Sequence, residues 1–269
     1  MTREVDPDSV LFITLDSCRF DTMEQAGALA MRRVGPLRAA QAPSYFTYGS
    51  HCAMFVGFTP TATLDPVPLL NPKAAKLFKL VGGGHAGKGD EGFELTGANI
   101  IEGFANRGYT TIGSGAVGWF NPDTPTGVHL GRPFQHFLFD GQPGACERQV
   151  AWMEQQVDAA PGPVFAFLNC AETHVAYWHQ GASWPAHDNC CEPFQTVDRR
   201  DDCAMRQAAS LHHIDGVMAP LIERFMGATI LLCADHGDAW GEDGVWEHGV
   251  PHEKVLTVPL MMRYQGRPI

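Results

Sequence analysis

VLFITLDS, residues Val10 to Ser17, is a short apolar run closed by Asp16-Ser17. A run of that length, with no polar alternation and a turn signal at its end, reads as a strand buried on both faces. That is the mark of a parallel sheet. The pattern recurs. Val164–Leu168 (VFAFL) leads into Glu172-Thr173-His174, and Thr229–Cys233 (TILLC) leads into Asp235-His236. Tyr109–Ile112 is a further strand, and Val258–Met262 (VPLMM) is the last. Helical patterns lie between them at Asp21–Arg33, Ser50–Val56, Ala98–Arg107, Cys146–Ala159 and Asp202–Phe225. Strands alternating with helices predict an α/β fold, a parallel sheet covered by helices on both faces. The first and last strands carry parts of one polar constellation, so residues 1–269 read as a single domain.

The punctuation fits. Ser50 reads as a helix N-cap and Gly57 as the stop of the same helix. Gln41–Tyr48 and Gly115–His129 read as loops. Residues 58–95, rich in Pro and Gly and including Gly82-Gly83-Gly84, are the least regular stretch and read as a surface excursion. No GxGxxG or Walker pattern surrounds that glycine run, so it reads as loop rather than phosphate cradle. Residues 178–203, bearing Cys, His and Asp, read as an insertion over the site.

Composition bounds the function. The chain is 45% hydrophobic and 18% charged, enough to fill a core without disulfide staples. A net charge of -11 argues against nucleic acid or an anionic membrane as partner, although bound cations can reverse the sign locally. The eight cysteines include no CxxC pair, so a structural zinc site is not expected. Cys190 and Cys191 are adjacent, where a bridge is strained. The polar start of the chain is unlike a signal peptide, and no apolar run approaches the ~20 residues needed to span a bilayer. Together these give the expectation of a reducing, cytoplasmic compartment.

Asp16, Glu172-Thr173-His174 and Asp235-His236 each follow a strand. In an open parallel sheet, ligands bind beyond the carboxyl ends of the strands, so the three loops are expected to converge. One such Asp alone is as readily a helix cap. The conjunction of three favours a site.

Here the sequence resembles a known family. FITLDSCRFD (Phe12–Asp21) is similar to the opening strand and metal-binding Asp of sulfatase-like hydrolases in the alkaline phosphatase–sulfatase superfamily. TYGSHCAMFVGFTP (Thr47–Pro60) resembles their nucleophile segment, with Thr47 at the nucleophile position. NIIEGFANRGYTT (Asn99–Thr111) looks like their helix and GYxT strand, and FLNCAETHVAY (Phe167–Tyr177) like their THxPY segment. CADHGDAWGEDGVWEHG (Cys233–Gly249), followed by VPLMMR (Val258–Arg263), resembles their DHG…GE…GHG block. The resemblance implies a three-layer sandwich with a mostly parallel central sheet.

It also implies chemistry. A divalent cation (Mn, Zn or Mg, one ion or two) is expected on Asp16, Asp235, His236 and the oxygen of Thr47, with His248 as a further ligand. Coordination favours the threonine alkoxide, which is otherwise a poor nucleophile at neutral pH. The amides of the following helix, together with Ser50, are expected to hold the oxyanion. His174 and His248 are expected to face the site as phosphoryl-oxygen donors, leaving-group acid or ligands of a second ion. Glu172 and His252 are additional ligand candidates. Arg19 is assigned to Asp16 or the substrate, against a structural ion pair with Asp21. His51 either contacts the substrate or braces its loop.

Two departures steer the reading. Sulfatases carry a cysteine or serine at the nucleophile position for conversion to formylglycine, and here it is Thr47, with Cys52 out of register. Their GKWH after GYxT is replaced by GSGAVGWF (Gly113–Phe120). Both favour a phosphate- or phosphonate-type ester over a sulfate. The expected activity is that of a phosphoric ester hydrolase or phosphotransferase acting through covalent Thr47. The expected substrate is a soluble, small anionic ester rather than a membrane-anchored lipid headgroup, and a homodimer is left open. The competing readings are a sulfatase-like esterase that does not use formylglycine and a metal- or ligand-binding relative without turnover.

Overall fold

The computed structural model describes residues 4–57 and 98–269, and in addition the strand pairing of residues 78–81 with 92–95. A central sheet of eight strands organises the chain. Strand β1 is Val10–Leu15, β2 Arg38–Gln41, β5 Thr110–Gly115, β6 His136–Phe139, β7 Val164–Cys170, β8 Thr229–Ala234, β11 Thr257–Tyr264 and β12 Arg267–Pro268. The spatial order is β12-β11-β8-β1-β7-β5-β6, with β2 also paired to β11. From β8 to β6 the strands are parallel, and β11 runs antiparallel to β8, β2 and β12. The expected alkaline phosphatase-like α/β architecture is therefore present, with an antiparallel margin.

Side-chain alternation on β1 builds the layers. Leu11, Ile13 and Leu15 face a core shared with α1 (Phe20–Gln25), α2 (Leu29–Arg32), α6 (Cys146–Ala159) and α7 (Arg200–Arg224). Phe12 faces the opposite core, with Phe165 and Phe167 of β7 and residues of α3 (Thr47–Val56), α4 (Ile100–Ala105) and α5 (Pro125–Gly131). That second core is aromatic: the Phe167 ring lies 5.2 to 5.9 Å from those of Phe12, Phe55, Phe120 and Phe134. Such a face holds α3 rigidly against the sheet.

The structure refines several boundaries. The Asp21–Arg33 helix is two helices, broken where Gly27 takes a left-handed φ of 61°. The helix expected from Ser50 begins at Thr47, with Phe46 at the N-cap, and ends at left-handed Gly57 as expected. Gly115–His129, read as loop, holds a 3-10 turn at Gly118–Phe120 and most of α5, which Thr124 caps. Within the stretch 58–95 read as irregular, β3 (Phe78–Val81) pairs antiparallel with β4 (Gly92–Leu95). Gly82-Gly83-Gly84 lie outside the described residues. Two further elements complete the frame, the short pair β9 (Ala239–Trp240) and β10 (Trp246–Glu247), and α8 (Glu253–Leu256).

Candidate active site

Register puts the polar loops at one level. Leu15 pairs with Cys170 on one side and Ala234 on the other, so Asp16, Ala171 and Asp235 leave the sheet together. The Asp16 amide donates to Cys170 O at 2.9 Å. Ser17 then takes a left-handed φ of 57°, an uncommon conformation for a residue with a side chain. Gln207 Nε2 on α7 holds the turn by donating to Ser17 O at 2.9 Å. On the opposite side, Gly237 approaches the backbone so closely that a Cβ there would sit 2.3 Å from Lys254 O. The glycine of the DHG triplet is thus a packing requirement.

Thr47 arrives from the other layer. It is the first residue of α3, and its hydroxyl oxygen lies 3.2 Å from His236 Nε2 and 3.4 Å from Asp16 Oδ2. His236 Nε2 lies 3.8 Å from Asp16 Oδ1 and 3.7 Å from Asp235 Oδ2. All four residues are buried. Ser50 locks α3 to the sheet, donating its hydroxyl to Asp235 O at 2.7 Å. Ser50 is therefore neither the helix cap nor an oxyanion donor. His51 likewise braces: Nδ1 meets Thr47 O at 2.7 Å and Nε2 meets the Thr14 hydroxyl at 3.0 Å. Burial pushes His51 down to about 4, which suits a neutral ring boxed by Phe120 and Phe167.

The electrostatics of this cluster ask for a cation. Asp235 Oδ1 accepts from the amides of Ser17 and His236, but its Oδ2 is buried with no partner. Burial, and then the neighbouring Asp16 carboxylate, push Asp235 well above the usual carboxylate range. An orphaned carboxylate oxygen is costly unless something positive occupies its lone pair. His236 is prepared for that role. Its Nδ1 lies 3.0 Å from Gly237 O, so the proton sits there and Nε2 presents a lone pair. Burial, then nearby His248, push its pKa down to about 3, so the ring is neutral. Asp16, Asp235 and His236 offer ligand atoms all within 4.8 Å of one another, and the donor set of two carboxylates, one imidazole and a hydroxyl fits a divalent ion such as Zn, Mn or Mg.

His236 also belongs to a second trio, with Asp238 and His248. His248 Nδ1 lies 2.7 Å from Asp238 Oδ1, and Tyr177 donates its hydroxyl to Asp238 Oδ2 at 2.7 Å. Tyr177 in turn accepts from Trp240 Nε1 at 2.8 Å. Burial alone would lower His248, but the Asp238 carboxylate outweighs it and pushes the imidazole up to about 9. His174 completes the rim: its ring centroid is 5.2 Å from that of His248, and its Nδ1 lies 2.8 Å from Val175 O. Asp238 is the candidate site residue missed in the sequence. The available signal was the second acid in DHGD, standing inside the block already singled out.

Other candidates fall elsewhere. Arg19 does not reach Asp16. Its guanidinium is bidentate to Asp21 at 2.6 and 2.8 Å, donates to Glu242 at 2.9 Å, and lies over the Trp240 ring at 4.0 Å. The catalytic assignment of Arg19 is thus corrected to a structural one, since its donors are spent on fixed partners. His252 caps α8, its Nδ1 accepting from Lys254 N at 3.1 Å, and lies in neither trio. Glu172 lies in neither trio; its carboxylate accepts from the Cys146 amide and the Cys170 thiol, each at 2.8 Å.

The fold has known counterparts. No family model and no curated protein matches the sequence. The C-terminal periplasmic domain of EcEptC from Escherichia coli, in complex with Zn, superposes with a TM-score of 0.65 at 14% identity, covering 97% of this chain and 74% of that one. The C-terminal periplasmic domain of phosphoethanolamine transferase EptC from Campylobacter jejuni gives 0.62 at 12% identity, covering 97% and 80%. A protein in the alkaline phosphatase superfamily from Vibrio parahaemolyticus gives 0.56 at 13% identity, covering 99% and 62%.

Proposed function

We infer that this chain, which carries the alkaline phosphatase-like fold, is a divalent-metal-dependent enzyme that transfers a phosphoryl-type group from an ester through covalent Thr47. The observation that carries the reading is the Thr47 hydroxyl, seated 3.4 Å from Asp16 and 3.2 Å from His236 beside the unpartnered Asp235 Oδ2. A threonine serving only as a helix start would have no reason to sit among two buried carboxylates and a neutral histidine.

Asp16, Asp235, His236 and Thr47 would hold one cation; the single free lone pair of His236 is then taken, and a second ion would rest on Asp238 and His248. Such an ion, when bound, supplies charge that lowers the hydroxyl pKa of Thr47 and offsets the substrate's negative charge. The chain's own residues do the rest. As its proton passes to solvent, Thr47 Oγ1 forms the new bond to phosphorus while the bond to the leaving oxygen breaks. That oxygen takes a proton from the His174–His248 rim. With a single cation, His248, held by Asp238 at 2.7 Å, is placed as the donor; with two, His174 takes that place. The phospho-Thr47 ester is then resolved by water or by an acceptor hydroxyl.

Two relatives in fold bear the name EptC, one of them termed a phosphoethanolamine transferase. Among the described residues no helix is long and apolar enough to cross a membrane. A soluble ester is the substrate proposed here, with a lipid headgroup donor as the contrasting case. The test is a panel of p-nitrophenyl phosphate, bis-p-nitrophenyl phosphate and phosphatidylethanolamine vesicles, each with Mn, Mg or Zn, and mass spectrometry of acid-quenched protein. Turnover with phosphate on Thr47 is expected. No turnover on any ester, or turnover without modified Thr47, contradicts the reading.

A further inference from the structure

Behind the catalytic loop, on the face of the sheet covered by α6 and α7, two cysteines and a glutamate converge. Cys146 is the first residue of α6 and Cys170 the last of β7, and both are fully buried. Glu172 follows two residues later and is 2% exposed. One ligand atom from each lies within 4.8 Å of the other two. We propose that Cys146, Cys170 and Glu172 form a second kind of metal site, a structural one for a thiophilic divalent ion such as zinc.

The chemistry of the donors separates this site from the catalytic one. Two thiolates and a carboxylate are a zinc-type set, whereas the catalytic trios contain no sulfur. Binding exchanges protons for metal: each thiol forms a bond to the ion and releases its proton to solvent, and the carboxylate contributes a lone pair. A supporting hydrogen bond is already in place. Glu172 Oε1 accepts from the Cys146 amide at 2.8 Å, which orients the carboxylate and leaves Oε2, now 2.8 Å from Cys170 Sγ, toward the sulfurs. Ala171 and Glu172 also line a cavity of about 270 Å³ together with His174 and Trp178, so the carboxylate edge of the cluster adjoins open space.

Placement suggests what the ion does. Cys170 O accepts the Asp16 amide, and Thr173 donates its hydroxyl to Asp16 O at 2.7 Å. An ion across Cys146, Cys170 and Glu172 would tie the root of this loop to α6 and so fix the segment that carries His174. No spacing motif could have announced it, because the two cysteines stand far apart in the chain and the third ligand is an acid.

The site is testable independently of Thr47. Full-length protein is produced in zinc-depleted, cobalt-supplemented medium, and its near-ultraviolet absorption is read for thiolate-to-cobalt charge transfer. The wild type is expected to show that band at one cobalt-thiolate site per chain. Asp235→Asn, which disables the catalytic ligands, is expected to retain it. Cys146→Ser and Cys170→Ser are expected to lose it, and Glu172→Gln to shift or weaken it. Cys190→Ser, in the separate cluster of Cys190, Cys191 and Cys203, is expected to leave it unchanged. If a serine variant does not fold, sulfur scattering in the X-ray absorption spectrum of the wild-type zinc protein decides. A wild type without thiolate-bound metal, or a band lost only with Cys190, overturns the proposal.

Discussion

His248 Nδ1 sits 2.7 Å from Asp238 Oδ1, and this contact sets the charge of the imidazole nearest His236. The folded-state pKa is pushed up to about 9, above the usual histidine value. A group raised on folding contributes stability in full below its unfolded pKa and loses it as pH rises through the folded one. In chelator-treated protein, the melting-temperature advantage of wild type over His248→Gln should therefore be largest near pH 6 and fade through about pH 9. A difference that is constant across that range would show that the pair does not titrate.

Asp235 and Asp16 are two buried carboxylates with no cation between them in metal-free protein. Asp235→Asn keeps an oxygen for the amides of Ser17 and His236 but removes the repulsion. Metal-free Asp235→Asn should melt above metal-free wild type, while turnover and the metal held at the Asp16–Asp235–His236 cluster are lost. Unchanged metal content by elemental analysis would remove Asp235 from the ligand set.

Arg19 offers a contrasting outcome. Arg19→Lys forfeits the bidentate bond to Asp21 and the stack on Trp240, costing about 1.5–3 kcal/mol for a charged hydrogen bond at a buried site. Turnover at saturating substrate should fall by much less than for any ligand variant. Loss of several orders of magnitude in a folded Arg19→Lys protein would restore Arg19 to the chemistry.

The sequence was most legible where burial on both faces left a continuous apolar run. Val10–Leu15 and the helix Cys146–Ala159 are as read, and the three strand-end loops converge as expected. The short strands β2 and β6 were not legible, because four partly exposed residues give no period to detect. Nor does a strand announce its direction, so the antiparallel setting of β11 came only with the fold. Within the site, carboxylates and histidines directly after strands were identified, but Asp238 and the spent guanidinium of Arg19 depend on contacts across the chain. Arg19 meets Glu242 some two hundred residues away, a pairing that no local pattern encodes.

The cysteines make a simpler case. All eight are buried and unbridged. Thiol titration of denatured, non-reduced protein in the presence of chelator should find all eight. Recovery of about half would mean that disulfides form in the native protein.

Thr47 is the centre of the account, and Thr47→Ala is its most direct test. Asp16, Asp235 and His236 remain as ligands, so the variant should still bind metal. Turnover should fall by several orders of magnitude, because nucleophile and charge stabilisation act as a unit. Thr47→Ser retains the hydroxyl and should keep measurable activity. A threonine that only starts the helix would instead contribute ~1 kcal/mol of stability and nothing to rate. The decisive measurement is turnover of p-nitrophenyl phosphate by metal-loaded wild type and Thr47→Ala, with melting temperature taken on the same samples. The account predicts a folded, metal-bound and inactive variant; near-normal turnover with a slightly lower melting temperature would contradict it.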